Sequence, residues 1–234
     1  MKKLLVTLCL FALLLVPIGG CNKLDKFFTP SQEVLEITPA REMLEDAYNT
    51  FSIQGATATI VVTTISCVPL YNQLAMLESR GIQKLHLVVI SAGGSIIDML
   101  AMVDMLERFK DKGGSITSHV MGLAASAAVP IYLMGDYRTA GHNAQLMIHP
   151  CTSWGKKLSD YTYSEADDAL PTAKTFFQSA VARYNNFFAA LVARKTSVSF
   201  SEAMEYLTTG DANTGMWYFS ASQMLSMGFA HKLL

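Results

Sequence analysis

The sequence predicts an α/β domain in which repeated βαβ units form a parallel sheet and helices close the C-terminal end. Three observations predict it. Thr57–Ser66 and Leu85–Ile90 are short, β-branched and nearly continuous in apolar residues, the pattern of strands buried in a parallel sheet. Segments with helical spacing follow each of them, as βαβ units require. The chain has 234 residues, 51% hydrophobic and 16% charged, which suits one sizeable core and excludes disorder as the main state. A net charge of −1 excludes the basic footprint of a nucleic-acid binder.

The N-terminus stands apart. Lys2 and Lys3 precede an apolar run from Leu4 to Val16, and Ile18-Gly19-Gly20-Cys21 follows. A basic start, a short apolar stretch and a small-residue exit describe an export signal over residues 1–20. The run is shorter than the roughly 20 residues of a membrane span. Its ending resembles a bacterial lipobox, with Cys21 as the lipidated first residue of the mature chain. An uncleaved anchor that keeps the domain at the cytoplasmic face and an ordinary cut near Gly20 are the other readings. Cys67 and Cys151 then remain, either paired or as buried thiols.

Residues 21–56 read as a tether with a helix near Ala40–Phe51, and residues 57–234 as the main domain. Within it, Thr57–Ser66 is the first strand. Pro69–Arg80 is helical, with Leu70, Leu74 and Leu77 on one face. Leu85–Ile90 is the second strand, and Ser95–Phe109 a helix with Ile96, Ile97, Leu100, Val103 and Leu106 in its apolar stripe. Ser115–Met121 is a third strand, Ala125–Leu133 a small-residue helix and Gln145–Ile148 a short strand. Three helices follow over Asp160–Ala169, Thr172–Arg194 and Ser199–Leu207, with Pro171 marking the break between the first two. Leu225–Leu234 is an apolar tail. So few charges imply a sheet covered on both faces, with subunit contacts contributing.

Three short motifs carry the chemistry. In Gly122-Leu123-Ala124-Ala125-Ser126-Ala127-Ala128, one serine stands among small residues where a strand gives way to a helix. Small neighbours let a substrate backbone approach its hydroxyl, although a serine there is also a plain helix cap. In Met147-Ile148-His149-Pro150, a histidine ends an apolar strand, the place where α/β sheets build sites. An imidazole can take the hydroxyl proton that serine must lose. In Ser91-Ala92-Gly93-Gly94-Ser95, a glycine pair at a strand-to-helix turn offers backbone N–H groups to an oxyanion. No G-x-x-x-x-G-K-[ST] or G-x-G-x-x-G pattern occurs, so nothing points to a nucleotide site.

Taken in order, these motifs resemble the proteolytic subunit of the Clp protease and its relatives, serine peptidases of the ClpP/crotonase superfamily. The resemblance runs from about Thr57 to Leu234 and includes the closing segment Tyr218–Leu234, where Gln223 and His231 replace the family's Glu and Asp. It implies a ClpP/crotonase-like fold, Ser126 as nucleophile, His149 as general base and acid, and an oxyanion hole from the N–H groups of Gly94 and Ala127. The third member is an Asp. Counted forward from Glu202-Ala203-Met204-Glu205 it falls on Asp211; counted back from Ser220-Ala221 it falls on Met216, with a five-residue insertion, Ala212–Met216, between the two counts. Asp211 is the only acid after Glu205, which favours it, although an Asp before Ala-Asn also makes a turn. Ala92 stands where the family has Pro.

The function implied is a serine endopeptidase acting on peptides or unfolded chains, without metal or cofactor, as a ring-forming homo-oligomer attached to the membrane by its N-terminus and facing the periplasm or exterior. Clp-type subunits work beneath ATP-driven unfoldases, so an exported member would work without ATP. The alternatives are an inactive scaffold or peptide-binding subunit, a signal-peptide-peptidase-like Ser–Lys protease using Lys156 or Lys157, and a crotonase-like acyl-CoA enzyme.

Overall fold

The computed structural model describes residues 44–45, 49–153, 156–157, 171–210 and 214–234. Asp211, Cys21 and the helix expected over Asp160–Ala169 lie outside them. The chain runs through β1 (Leu44–Glu45), β2 (Asn49–Gln54), β3 (Thr57–Val62), α1 (Cys67–Ser79), β4 (Lys84–Ser91), α2 (Ile96–Asp111), β5 (Ser115–Ala125), α3 (Ala128–Leu133), β6 (Tyr137–Ala140) and β7 (Gln145–Ile148). A small hairpin, β8 (Thr152–Ser153) and β9 (Lys156–Lys157), precedes α4 (Pro171–Lys195), α5 (Phe200–Thr208), β10 (Trp217–Ser220), α6 (Ala221–Ser226) and β11 (Lys232–Leu233).

Nine strands make the main sheet, in the order β1-β2-β3-β4-β5-β6-β11, with β7 branching from β5 and β10 from β7. The β3–β4, β4–β5, β5–β6, β5–β7 and β6–β11 pairs are parallel; β1–β2, β2–β3 and β7–β10 are antiparallel. The parallel βαβ core is thus as the sequence implies.

Two expectations are corrected. The helix near Ala40–Phe51 is instead strand over its described part: Asn49–Gln54 pairs residue for residue with Thr57–Val62, and Phe51 is buried in the core. A Thr-Phe-Ser-Ile alternation next to a Gly55 turn at φ 59° suits a hairpin better than a helix. Among the described residues the core lies on one face of the sheet. In β4, Leu85, Leu87 and Val89 are buried, whereas His86 and Val88 are half-buried and Ile90 is exposed. The core-side alternates join the buried faces of α1 and α2 in one cluster with Tyr132 and Phe188. Finally, the strand expected over Ser115–Met121 runs on to Ala125, and the helix after it starts three residues later than expected, at Ala128.

At the far edge, Arg138 of β6 is 2% exposed. Its guanidinium donates to the carbonyls of Gly135 (3.2 Å), Gly228 (2.9 Å) and Phe229 (2.8 Å), and to that of Lys195 at the end of α4. Its backbone N–H donates to Nδ1 of His231 at 3.1 Å. Buried donors are thereby satisfied while the last helices and the tail are tied to the sheet. Cys67 and Cys151 are half-buried and unbridged.

Burial, then the positive charges of Arg138 and Lys195, hold His231 below the usual imidazole range. Lys195 and the Tyr137 ring, at 5.3 Å, also face it. Burial lowers His86, and burial followed by the neighbouring His86 lowers His119. For a base lowered by folding, the unfolded chain takes up protons first on acidification. The stability contribution is therefore present above about pH 6.5 and lost as pH falls from there through the folded-state values. Thermal melts should show Tm falling from pH 7 to pH 5, and His231→Asn should flatten that slope.

Candidate active site

The site is built where β5 ends. Residues 117–120 of β5 pair with β6 and residues 123–125 pair with β7, and between them Gly122 takes φ 79°. That is a left-handed conformation glycine adopts without steric cost. The bend carries the strand out of one ladder and into the next.

At its end the chain reverses. Ser126 has φ 54°, the only positive φ among the described non-glycine residues, and a helical turn starts at Ala127. Such a backbone costs about 1–3 kcal/mol and persists only where its surroundings enforce it. Here they do. The Ser126 N–H donates to Met147 O at 2.8 Å, and the Ser126 carbonyl accepts from the Val129 N–H at 3.0 Å. Ala124, Ala125, Ala127 and Ala128 are buried around it, while Ser126 is half-buried.

The glycine pair lies directly on this turn. Gly93 takes φ 100°, and a Cβ there would stand 2.8 Å from both Ala125 O and Ser126 Cβ and 3.2 Å from Ala127 N. Its N–H donates to Ser91 Oγ at 3.2 Å. Gly94 is in a parallel bridge with Ile65, and a Cβ on Gly94 would point to that side, 3.1 Å from Ile65 Cβ. The loop is held beyond as well: Ser95 Oγ caps α2 by accepting from the Asp98 N–H at 3.2 Å, and Asp98 Oδ1 accepts from the Cys67 N–H at 3.2 Å. The Cys67 thiol hydrogen bond keeps Asp98 below the usual carboxylate range and pushes Cys67 up.

His149 follows β7 by one residue and is half-buried. Its Nδ1 is 2.6 Å from Pro150 O. A carbonyl has no proton to give, so Nδ1 carries the hydrogen and Nε2 is left with the lone pair a base needs. Met147, whose carbonyl pins Ser126, is two residues before His149, so both side chains sit at the C-terminal ends of adjacent parallel strands. Ser126 and His149 form no hydrogen bond with each other among the described residues. Ala127 stands at the helix start, where N–H groups have no acceptor one turn back.

Of the residues singled out from the sequence, Ser126, His149, Ala127 and the glycine pair are thus together. Lys156 and Lys157 form β9, away from the main sheet's pairing. Two residues carry more than the motifs suggested. Gly93, the first of the pair, is the one packed on Ser126; its sign in the sequence was the glycine at a strand-to-helix turn. Met216 is the second: it precedes Trp217, where the β7–β10 ladder ends opposite Ile148, the residue before His149. Gly210 and Gly215 lie against each other.

A strained serine at the end of a parallel strand, a histidine at the end of its neighbour and a glycine loop on the serine define a serine-hydrolase type of arrangement on a βαβ sheet. The Clp protease family model matches residues 44–207, well over half of the chain, and the chain belongs to that family. No match is found among curated proteins.

Replacing Gly93 with Ala tests how much the serine turn depends on the glycine loop. The added Cβ meets backbone on a strained φ, so Gly93→Ala should cost about 1–3 kcal/mol in chemical denaturation and slow covalent labelling of Ser126 more than Gly122→Ala does.

Proposed function

We propose that this chain is a serine endopeptidase that cleaves peptide bonds through an acyl-enzyme. One observation carries this: Ser126 is held in a strained turn under the glycine loop, one strand from a histidine whose Nδ1 is bonded to Pro150 O. His149 Nε2 takes the Ser126 proton as Oγ attacks the scissile carbonyl carbon. The N–H groups of Ala127 and Gly94 receive the negative oxygen of the tetrahedral intermediate. Its collapse breaks the C–N bond, and His149 returns the proton to the leaving amine. Water then repeats the sequence on the acyl-enzyme, releasing the acid and restoring Ser126. Substrates are peptides or unfolded chains, and the subunits associate with one another.

A second reading, an inactive scaffold or peptide-binding subunit, is favoured by the missing Ser126–His149 hydrogen bond, although apo sites are often looser than working ones. Fluorophosphonate labelling separates the two. The wild type should label and Ser126→Ala should not, and His149→Ala should slow labelling by at least about 10². Equal labelling of Ser126→Ala would sink the assignment, and a wild type that stays unlabelled would favour the scaffold. A Ser–Lys mechanism predicts that Lys156→Ala or Lys157→Ala stops labelling and His149→Ala does not.

We read residues 1–20 as an export signal and Cys21 as the lipid-bearing first residue, which places the domain outside the cytoplasm and away from ATP-driven unfoldases. Among the described residues no helix is long and apolar enough to cross a membrane. Mass spectrometry of the mature N-terminus should find an acylated Cys21, and Cys21→Ala should release the protein from membranes. A start at Met1 would instead support an uncleaved anchor.

A further inference from the structure

We infer that Asp98 is a positioning residue for the reaction: by tying the first residue of α1 to α2, it fixes the glycine loop whose Gly94 N–H receives the oxyanion. This rests on the Ser126–His149 reading above, in which Gly94 supplies that donor.

Two strand-to-helix turns lie side by side at this end of the sheet. β3 leads into α1 and β4 into α2, and the turns meet in the bridge between Ile65 and Gly94. The second turn caps its own helix through Ser95. The first does not. Ser66, the residue before α1, makes no side-chain cap, and the first turn of α1 holds no acid. The first N–H groups of a helix have no acceptor within it. Asp98 supplies one from the neighbouring helix. Its Oδ1 takes the Cys67 N–H at 3.2 Å, and the Cys67 thiol donates to the same carboxylate. One half-buried carboxylate thus serves the N-termini of two helices, the ends where negative charge is favoured.

Cys67 is two residues past Ile65 and Asp98 is four past Gly94, so the bond closes a short ring around the bridge. Gly93 rests on the Ser126 turn. The loop is therefore held at Gly93 by the serine and at Gly94 by Ile65, and Asp98 keeps Ile65 in place. Without that bond the start of α1 can draw away, and Gly94, with no side chain of its own, can follow. A bound peptide in its ground state senses this little. The tetrahedral intermediate senses it directly, because its stabilisation needs a donor at hydrogen-bond distance from the negative oxygen. Asp98 acts through the loop and not on the substrate.

Two changes break the bond from opposite sides. Asp98→Ala removes the acceptor. Cys67→Pro removes the donor at the first helical position, where proline is tolerated, and Ser66 at φ −138° and ψ 125° suits a following proline. Asp98→Asn keeps an oxygen for the N–H, and Cys67→Ala keeps the N–H itself. Each variant is assayed for peptide hydrolysis per titrated Ser126 and for affinity toward a peptide boronate, whose tetrahedral adduct places an oxygen in the oxyanion hole. Circular dichroism is the folding check. Asp98→Ala and Cys67→Pro should each lower kcat by about tenfold or more, short of the roughly 10²–10³ of a lost donor, with KM within about twofold. Boronate affinity should fall in step with kcat. The double variant should be no slower than the slower single one, because both remove the same bond. Asp98→Asn and Cys67→Ala should lose at most about threefold in kcat. A folded Asp98→Ala or Cys67→Pro whose Tm falls while kcat per site and boronate affinity stay at wild-type values would overturn the inference. So would losses that add in the double variant. A wild type that neither hydrolyses peptide nor labels at Ser126 would instead overturn the Ser126–His149 reading itself.

Discussion

One constraint organises the molecule: β5 serves two ladders in succession, and the exchange happens at Gly122. Up to Val120 the strand belongs to the parallel sheet with β4 and β6; from Leu123 it pairs with β7, which in turn carries β10. Parallel pairing requires neighbouring strands to point the same way, so both β5 and β7 deliver their C-terminal ends to one edge. Ser126 leaves the first and His149 the second. Were β5 to continue straight with β6, the β7–β10 layer would have no partner and the two side chains no common end. The site is thus a consequence of strand topology before it is a matter of side-chain chemistry.

Much of this was legible in the sequence where the signal was local. Thr57–Val62 and Lys84–Ser91 were visible because β-branched runs leave few alternatives. The long helices were visible from their periodicity, and Ser126 and His149 from the residue types around them. What was hidden depended on partners distant in sequence. Tyr137–Ala140 is a four-residue strand whose neighbours are β5 and the chain's last residues, and nothing within Tyr-Arg-Thr-Ala announces it. Asn49–Gln54 lies in a stretch with helix formers upstream, and it becomes a strand because the Gly55 turn folds it back onto β3. The alternation in β4 was also hidden, because Val88 and Ile90 read as core residues in a run that alternates only once the helices choose a side. Which glycine touches the serine was undecidable from a pair of identical residues. Opposed φ and bridge partners distinguish them only in three dimensions.

The C-terminal end shows how a charge can be kept inside without a carboxylate. Arg138 is buried against the carbonyls at the end of α4 and beyond α6, the ends of helices where partial negative charge gathers. Several aligned dipoles share the work of one anion. The residue at the family's closing Asp position is His231, and its ring lies against the same guanidinium, with Nη2 3.1 Å from Nε2. A neutral ring suits this place and a charged one does not, so this contact depends on pH.

At the site, backbone bonds bear on how the residues move. Ser126 is fixed by backbone bonds on both sides, through its N–H to Met147 O and its carbonyl from Val129, with Gly93 packed on its Cβ. Its remaining freedom is rotation of the hydroxyl about χ1. His149 is fixed through Ile148 in β7, and its ring by the Nδ1 bond to Pro150 O. A partner one residue along the same chain moves with the histidine, so ring and acceptor stay together when the loop after β7 shifts. Bringing Ser126 Oγ to Nε2 therefore asks for side-chain rotations on a backbone already strained into place. The about 1–3 kcal/mol stored at φ 54° is supplied by folding and need not be found again at each turnover.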